Sequence, residues 1–255
     1  MIFPWLALAL SLNATAAVDF QKILDGDVGC FIELDAKTGK TLREYNPLRC
    51  AERLAPCSTF KIPLAFIAFD SKVFATTHDK IPWDKVKHDR PEENHDQTPT
   101  SWIANSVVWV SQGLTSKLGE PILKRYLKEW NYGNQDTSGG LTNFWLASSL
   151  KISAREQAEF LAKLFNRKYP IGDQTFAKSK EILFNRALKD GSKVYGKTGT
   201  CPIPNSDLAT GWFVGVIEKG ESRRAFAMNA TNKVKREGFA GPRTKDRVYE
   251  ILNDN

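Results

Sequence analysis

Ser58-Thr59-Phe60-Lys61 sets a hydroxyl and an amine three residues apart, one helical turn, so that both project from the same face. A serine hydroxyl is a weak nucleophile until a base takes its proton, and a lysine amine is such a base only where burial holds it neutral. Apart from Lys61 the run from Phe60 to Phe69 is apolar nearly all round, which marks a buried helix and a desolvated lysine. S-x-x-K alone is weak, with about one match expected by chance in a chain of ordinary composition. Ser148-Ser149-Leu150-Lys151 is a second match, and its polar setting reads as accidental. Lys197-Thr198-Gly199, placed after a short strand, is rarer, at about 0.1 by chance. It too has a second copy, Lys37-Thr38-Gly39, in a predicted hairpin turn, so order and spacing must decide. Between the two stronger motifs come Ser106-Val107-Val108, on a predicted helix, and Tyr132-Gly133-Asn134, in a loop.

The order S-x-x-K, S-x-V, Y-G-N, K-T-G resembles that of the class D, oxacillinase-type serine β-lactamases. Phe144-Trp145-Leu146 and Gly241-Pro242-Arg243 extend the likeness over nearly the whole chain beyond residue 16. The resemblance implies hydrolysis of β-lactams through an acyl-enzyme on Ser58, with Lys61 carboxylated by CO2 (N6-carboxylysine) as the general base and no other cofactor. It implies that Trp145 holds the carbamate in an apolar pocket that includes Val108 and Leu146, and that Ser106 relays a proton to the departing ring nitrogen. Lys197, Thr198 and Arg243 would bind the substrate carboxylate. The backbone N–H groups of Ser58 and Thr200, beside Gly199, would form the oxyanion hole, and Tyr132 and Asn134 would shape the substrate site. The physical reading agrees: apolar burial favours the neutral amine that carbamylation needs, and donors at a helix start suit an oxyanion.

The elements that must position these residues can be read coarsely. Val28 to Leu34 and Thr41 to Tyr45 read as a hairpin after a short helix, and a buried helix begins at about Ser58. Helices are predicted over Trp102 to Gln112, Pro121 to Trp130, Ala154 to Phe165 behind the capping box Ser153-x-x-Glu156, and Thr175 to Phe184. Val194 to Lys197, Ala209 to Ile217 and Ala225 to Thr231 read as strands, and Pro242 starts a last helix ending near Leu252. Strands at both ends with helices between predict an α/β chain of the α+β type: one antiparallel sheet fed by both termini, packed with helices beside a mainly helical region. The resemblance gives this the fold of the serine β-lactamases and penicillin-binding proteins.

Residues 1–16 have the apolar core and A-x-A ending of a secretory signal peptide, although no Lys or Arg precedes the core. Residues 17–255 are then one transpeptidase-type domain, periplasmic and with no stable membrane anchor after cleavage. The net charge of +7 is scattered, which reads as a solvated basic surface and argues against nucleic acid as a partner. Small β-lactam molecules are the expected partners, and the sequence is silent on oligomeric state. His78, His88 and His95 lie in or near a polar stretch without metal-ligand spacing, so no metal is expected. Four cysteines behind a signal peptide suit disulfides, and two bridges allow three pairings. The family architecture sets the start of the Ser58 helix against the end of the K-T-G strand, which implies Cys57–Cys201 and leaves Cys30–Cys50. The competing readings are a penicillin sensor that stays acylated and a penicillin-binding transpeptidase. A Ser-His-Asp hydrolase lacks the G-x-S-x-G it would need.

Overall fold

A computed structural model describes residues 18–253, so the signal-peptide expectation for residues 1–16 lies outside the described residues. Helix α1 (Phe20–Leu24) starts on Asp19, whose carboxylate accepts from the Lys22 amide. The expected hairpin follows as β1 (Val28–Asp35) and β2 (Thr41–Tyr45). Helix α2 (Pro47–Ala51) is too short for periodicity to reveal; Asn46 caps it and Pro47 starts it. A 3₁₀ turn (Cys57–Phe60) leads into α3 (Lys61–Asp70), buried on every side except at Asp70. The helical region continues with α4 (Pro99–Ala104), α5 (Val108–Leu118), α6 (Glu120–Glu129), α7 (Ala154–Phe165) and α8 (Asp173–Ile182). Both bonds of the capping box form at α7: Ser153 Oγ accepts from the Glu156 amide at 3.1 Å, and Glu156 Oε2 accepts from the Ser153 amide at 2.9 Å. The chain then returns as β3 (Phe184–Ala187), β4 (Lys193–Pro202), β5 (Ala209–Lys219), β6 (Ser222–Thr231) and α9 (Ala240–Asn253).

The six strands form one antiparallel sheet in the order β2-β1-β6-β5-β4-β3, so both chain ends feed it. Strands β1, β5 and β6 are buried on both faces, and alternate residues divide between two cores. Phe31, Phe213, Phe226 and Met228 meet Val248 and Ile251 of α9 on one face, while Ile32, Val214 and Ala227 join α3 and α7 on the other. Two cysteines, Cys57 and Cys201, form a disulfide between the turn before α3 and the far end of β4, with Cα atoms 5.7 Å apart.

Three expectations change. The helix expected over Trp102 to Gln112 is two helices, because the Val107 amide returns to the Trp102 carbonyl and the Ser106 amide to Ile103, closing α4 in a Schellman turn. The helix expected over Thr175 to Phe184 spans Asp173–Ile182, and Phe184 opens β3, an edge strand exposed along its length and so without alternation. Cys30 and Cys50 are buried free thiols rather than a bridge. Each has a polar neighbour of its own: Asn229 Nδ2 donates to Cys30 Sγ at 3.4 Å, and Cys50 Sγ donates to the Tyr45 carbonyl at 3.6 Å.

Candidate active site

Ser58 stands in the 3₁₀ turn whose first residue, Cys57, has a left-handed φ of 46°, a conformation that a non-glycine residue holds only when its surroundings impose it. Those surroundings are the disulfide to Cys201 and a bond from the Cys57 amide to the Trp145 carbonyl at 3.0 Å. Behind the turn, Thr59 Oγ1 donates to the Pro56 carbonyl and accepts from Gln157 Nε2 on α7, at 2.7 and 2.8 Å. Tyr132 OH donates to Gln157 Oε1 at 3.4 Å, so a buried polar chain runs from the Y-G-N loop to the nucleophile turn. Lys197-Thr198-Gly199 lies inside β4 rather than after a short strand. β3 pairs with β4 only as far as Tyr195, which leaves the edge beyond it to pack on the Ser58 turn. A methyl group on Gly199 would stand 3.0 Å from the Pro56 carbonyl and 3.2 Å from Thr59 Cγ2, so only glycine lets strand and turn approach this closely.

Ser58, Ser106, Val108, Thr198, Gly199 and Thr200 share the wall of one cavity of about 510 Å³. Ser106 reaches it from the αL corner of the turn after α4, with φ of 57°, where a glycine is usual. Thr200 Oγ1 accepts from the Gly241 amide at 2.9 Å and so pins the start of α9 to β4. Lys61 is buried, its ammonium pushed well below the usual lysine range first by desolvation and then by the cation of Lys197. Its Nζ has no hydrogen-bond partner, and neither has the buried Nε1 of Trp145. Trp145 stacks on Phe60, the neighbour of Lys61, with ring centroids 5.6 Å apart. Leu146 is half-buried beside it, packed against the same core. Lys197 is buried, its Nζ donating to the carbonyl and Oγ1 of Thr198 at 3.2 and 3.3 Å. Burial, with Lys245 and Arg90 nearby, pushes it down to about 7.

Four residues expected to meet substrate do not line this cavity, the buried Lys197 among them. Tyr132 is fully buried in the chain that braces Thr59. Asn134 is spent on its own loop, its side chain accepting from the Lys151 amide and donating to the Ser149 carbonyl, both at 2.8 Å. Arg243 turns away, with Nη1 donating to the Glu237 and Gly238 carbonyls at 2.6 and 3.0 Å. In their place Arg90, Glu93, Phe239 and Lys245 reach the wall. In the polar stretch around residues 89–94, Glu93 is buried and ion-paired with Arg90. Arg90 in turn lies 5.9 Å from the Phe239 ring, across the mouth of the cavity. An arginine three residues before a glutamate, Arg90 and Glu93, was the only signal in the sequence. Among the described residues no cluster of His, Cys, Asp and Glu could hold a metal ion. The two duplicate motifs lie elsewhere: Lys37-Thr38-Gly39 is exposed in the β1–β2 turn, and Lys151 lies in the loop held by Asn134.

A hydroxyl at a strained turn, a buried amine held well below the usual lysine range behind it and a lysine-bearing strand edge beside it define a serine acyl-transfer site on a mixed sheet-and-helix fold. The chain matches the penicillin binding protein transpeptidase domain over residues 29–253. β-Lactamase OXA-1 of Escherichia coli is 36% identical over 263 residues, covering 99% of this chain and 95% of that protein. Among solved structures, the class D β-lactamase OXA-427 superposes with a TM-score of 0.82 at 36% identity, over 88% of this chain and 97% of that one. The C-terminal domain of the Bacillus licheniformis BlaR penicillin-receptor superposes with a TM-score of 0.86 at 29% identity, over 92% and 94%. The chain belongs to the penicillin-binding protein transpeptidase family and, within it, to the class D serine β-lactamases.

Proposed function

We propose that this chain hydrolyses β-lactam antibiotics through an acyl-enzyme on Ser58, cleared by a base built on Lys61. The observation that carries the reading is the pair of orphaned buried polar atoms, Lys61 Nζ and Trp145 Nε1, on residues linked by Phe60, which precedes Lys61 in the chain and stacks on Trp145. A buried polar atom without a partner costs about 1–3 kcal/mol, and a small acceptor group on Lys61 would satisfy the indole. CO2 added to the neutral amine gives a carbamate, which would take the Ser58 proton in acylation and a water proton in deacylation.

The chain's own residues supply the rest. Ser58 Oγ attacks the lactam carbonyl, the C–N bond breaks, and Ser106 Oγ passes a proton to the departing nitrogen. Backbone N–H groups of Ser58 and Thr200 receive the oxyanion, with Gly199 allowing the strand to come close enough. Lys197 and Thr198 present donors to the substrate carboxylate, and Val108 and Leu146 give the base an apolar surround. Export fits the reading, since the Cys57–Cys201 disulfide suits an oxidising compartment such as the periplasm. Among the described residues no helix is long and apolar enough to cross a membrane.

The similarity to the BlaR penicillin-receptor domain supports a second reading, a sensor that is acylated and not cleared. One experiment separates the two: follow the Ser58 adduct by mass spectrometry after mixing the protein with a penicillin, with and without bicarbonate. Formation and rapid loss of the adduct, faster with bicarbonate, supports the lactamase. An adduct that persists with bicarbonate overturns it in favour of the sensor.

A further inference from the structure

We infer that the groove between α5 and the loop after α3 is a second binding site, for a small apolar molecule that carries one anionic group. It is a cavity of about 520 Å³, within the range of small-molecule sites, and it shares no residue with the wall of the catalytic one. Phe74, Ile81, Trp109, Val110 and Leu114 give it apolar walls. The loop wall is held in place by its own bonds: Ile81 and Gln97 exchange two backbone hydrogen bonds of 2.8 Å, and Asp79 accepts from the amides of Ala75 and Thr76.

Gly113 lines the groove from the middle of α5, where glycine weakens a helix relative to almost any other residue. No close approach demands it, since a methyl group there would meet nothing within 4 Å. Trp109 and Lys117, one turn to either side, line the same groove, so a larger side chain at 113 would fill the space between them. The glycine keeps open a space that an ordinary helix former would close.

The charges at the rim select the occupant. Asp79 is spent on its own turn, where Thr76 Oγ1 is a third donor, and Lys80 is paired with Asp96 at 2.7 Å. Lys117 is exposed and makes no hydrogen bond or ion pair among the described residues. An apolar body in the groove with its anionic group at Lys117 uses both features, whereas a polar molecule would lose its hydration against walls that offer few partners. The groove also meets the catalytic wall at one residue: Trp109 Nε1 donates to the carbonyl of Glu93, which lines the catalytic cavity, at 3.1 Å.

The test is calorimetric titration of the full chain with sodium octanoate below its micelle concentration, and with 1-octanol as the neutral counterpart. Octanoate is expected to bind once per chain with a Kd of about 1 mM or less, and more tightly than 1-octanol. Gly113→Leu should raise that Kd about tenfold or more, and because leucine is a better helix former than glycine, α5 should stay folded. Lys117→Gln should weaken octanoate about two- to fivefold, the size of one exposed ion pair, and leave 1-octanol unchanged. Absence of saturable octanoate binding at about ten times the expected Kd overturns the inference. So does binding that Gly113→Leu leaves within about twofold, which would place the anion elsewhere, the catalytic cavity included. Equal affinity for octanoate and 1-octanol overturns it as well, because the anionic group would then contribute nothing. If Gly113→Leu does not fold, Lys117→Gln decides alone, and an unchanged octanoate affinity overturns the inference.

Discussion

At the scale of single residues, the base is where an amine and an indole lack partners. Trp145→Phe keeps the stacking on Phe60 and removes only the indole N–H. A hydrogen bond to a charged group is worth about 1.5–3 kcal/mol, so this variant should need about tenfold more bicarbonate, or beyond, for half-maximal activity. An unchanged bicarbonate response, read from steady-state rates in CO2-depleted buffer titrated with bicarbonate, would remove Trp145 from the base. Lys61→Ala should leave any penicillin adduct on Ser58 uncleared, because no second base stands in the reading. Turnover by Lys61→Ala at a rate near that of the parent chain would refute Lys61 as the base.

At the scale of elements, the Ser58 turn is held from behind by α7 and from the side by β4. Gln157→Leu cuts the link between Tyr132 and Thr59 and leaves a buried phenol unsatisfied. It should cost about 1–3 kcal/mol, read as a lower urea midpoint at unchanged slope. The Cys57–Cys201 bridge spans 144 residues, and the chain-entropy model values a loop of that length at about 5 kcal/mol, an upper figure in practice. Alkylation of the unfolded, unreduced protein should therefore label Cys30 and Cys50 and spare the other two. Labelled Cys57 would mean that the bridge is not formed. What the sequence made legible follows the same division. Ser58, Lys61 and the Lys197 strand could be read because spacing within one element fixes which residues share a face. Ser106 was misplaced on a continuous helix because a serine, not a glycine, fills the αL corner that ends α4, and nothing in the apolar periodicity marks that break. Tyr132, Asn134 and Arg243 were assigned to the cavity because motif neighbours were taken to face together. Which way each points depends on how α7 and α9 register against the sheet. Arg90, Glu93 and Phe239 come from loops with no period to read.

At the scale of the molecule, two buried lysines couple stability to pH. In the folded protein Lys197 is pushed down to about 7 by burial and by the cations of Lys245 and Arg90, and Lys61 is also held well below the usual range. In the unfolded chain both return to about 10.4. Between about pH 7 and 8.5 the unfolded chain thus binds more protons than the folded one, so the free energy of unfolding rises with pH in that window. Below about pH 7 Lys197 is protonated in both states and adds no slope. Above about pH 8.5 the unfolded chain begins to ionise thiols, then phenols, that stay protonated when folded; Cys50 is pushed up by the neighbouring Cys30 thiol and by burial, Tyr132 by burial, and the trend turns over. Lys197→Met isolates one contribution, because methionine fills similar space without titrating. The difference in unfolding free energy between the parent protein and Lys197→Met should change by about 1–2 kcal/mol from pH 7 to 8.5, in the direction that favours the parent at higher pH. Paired urea titrations in CO2-depleted buffer read this directly, with bicarbonate excluded so that no carbamate forms on Lys61 in either protein. A difference that stays constant across the window would mean that Lys197 keeps its proton when buried. The substrate carboxylate would then meet a fixed cation, and binding would take up no proton at pH 8.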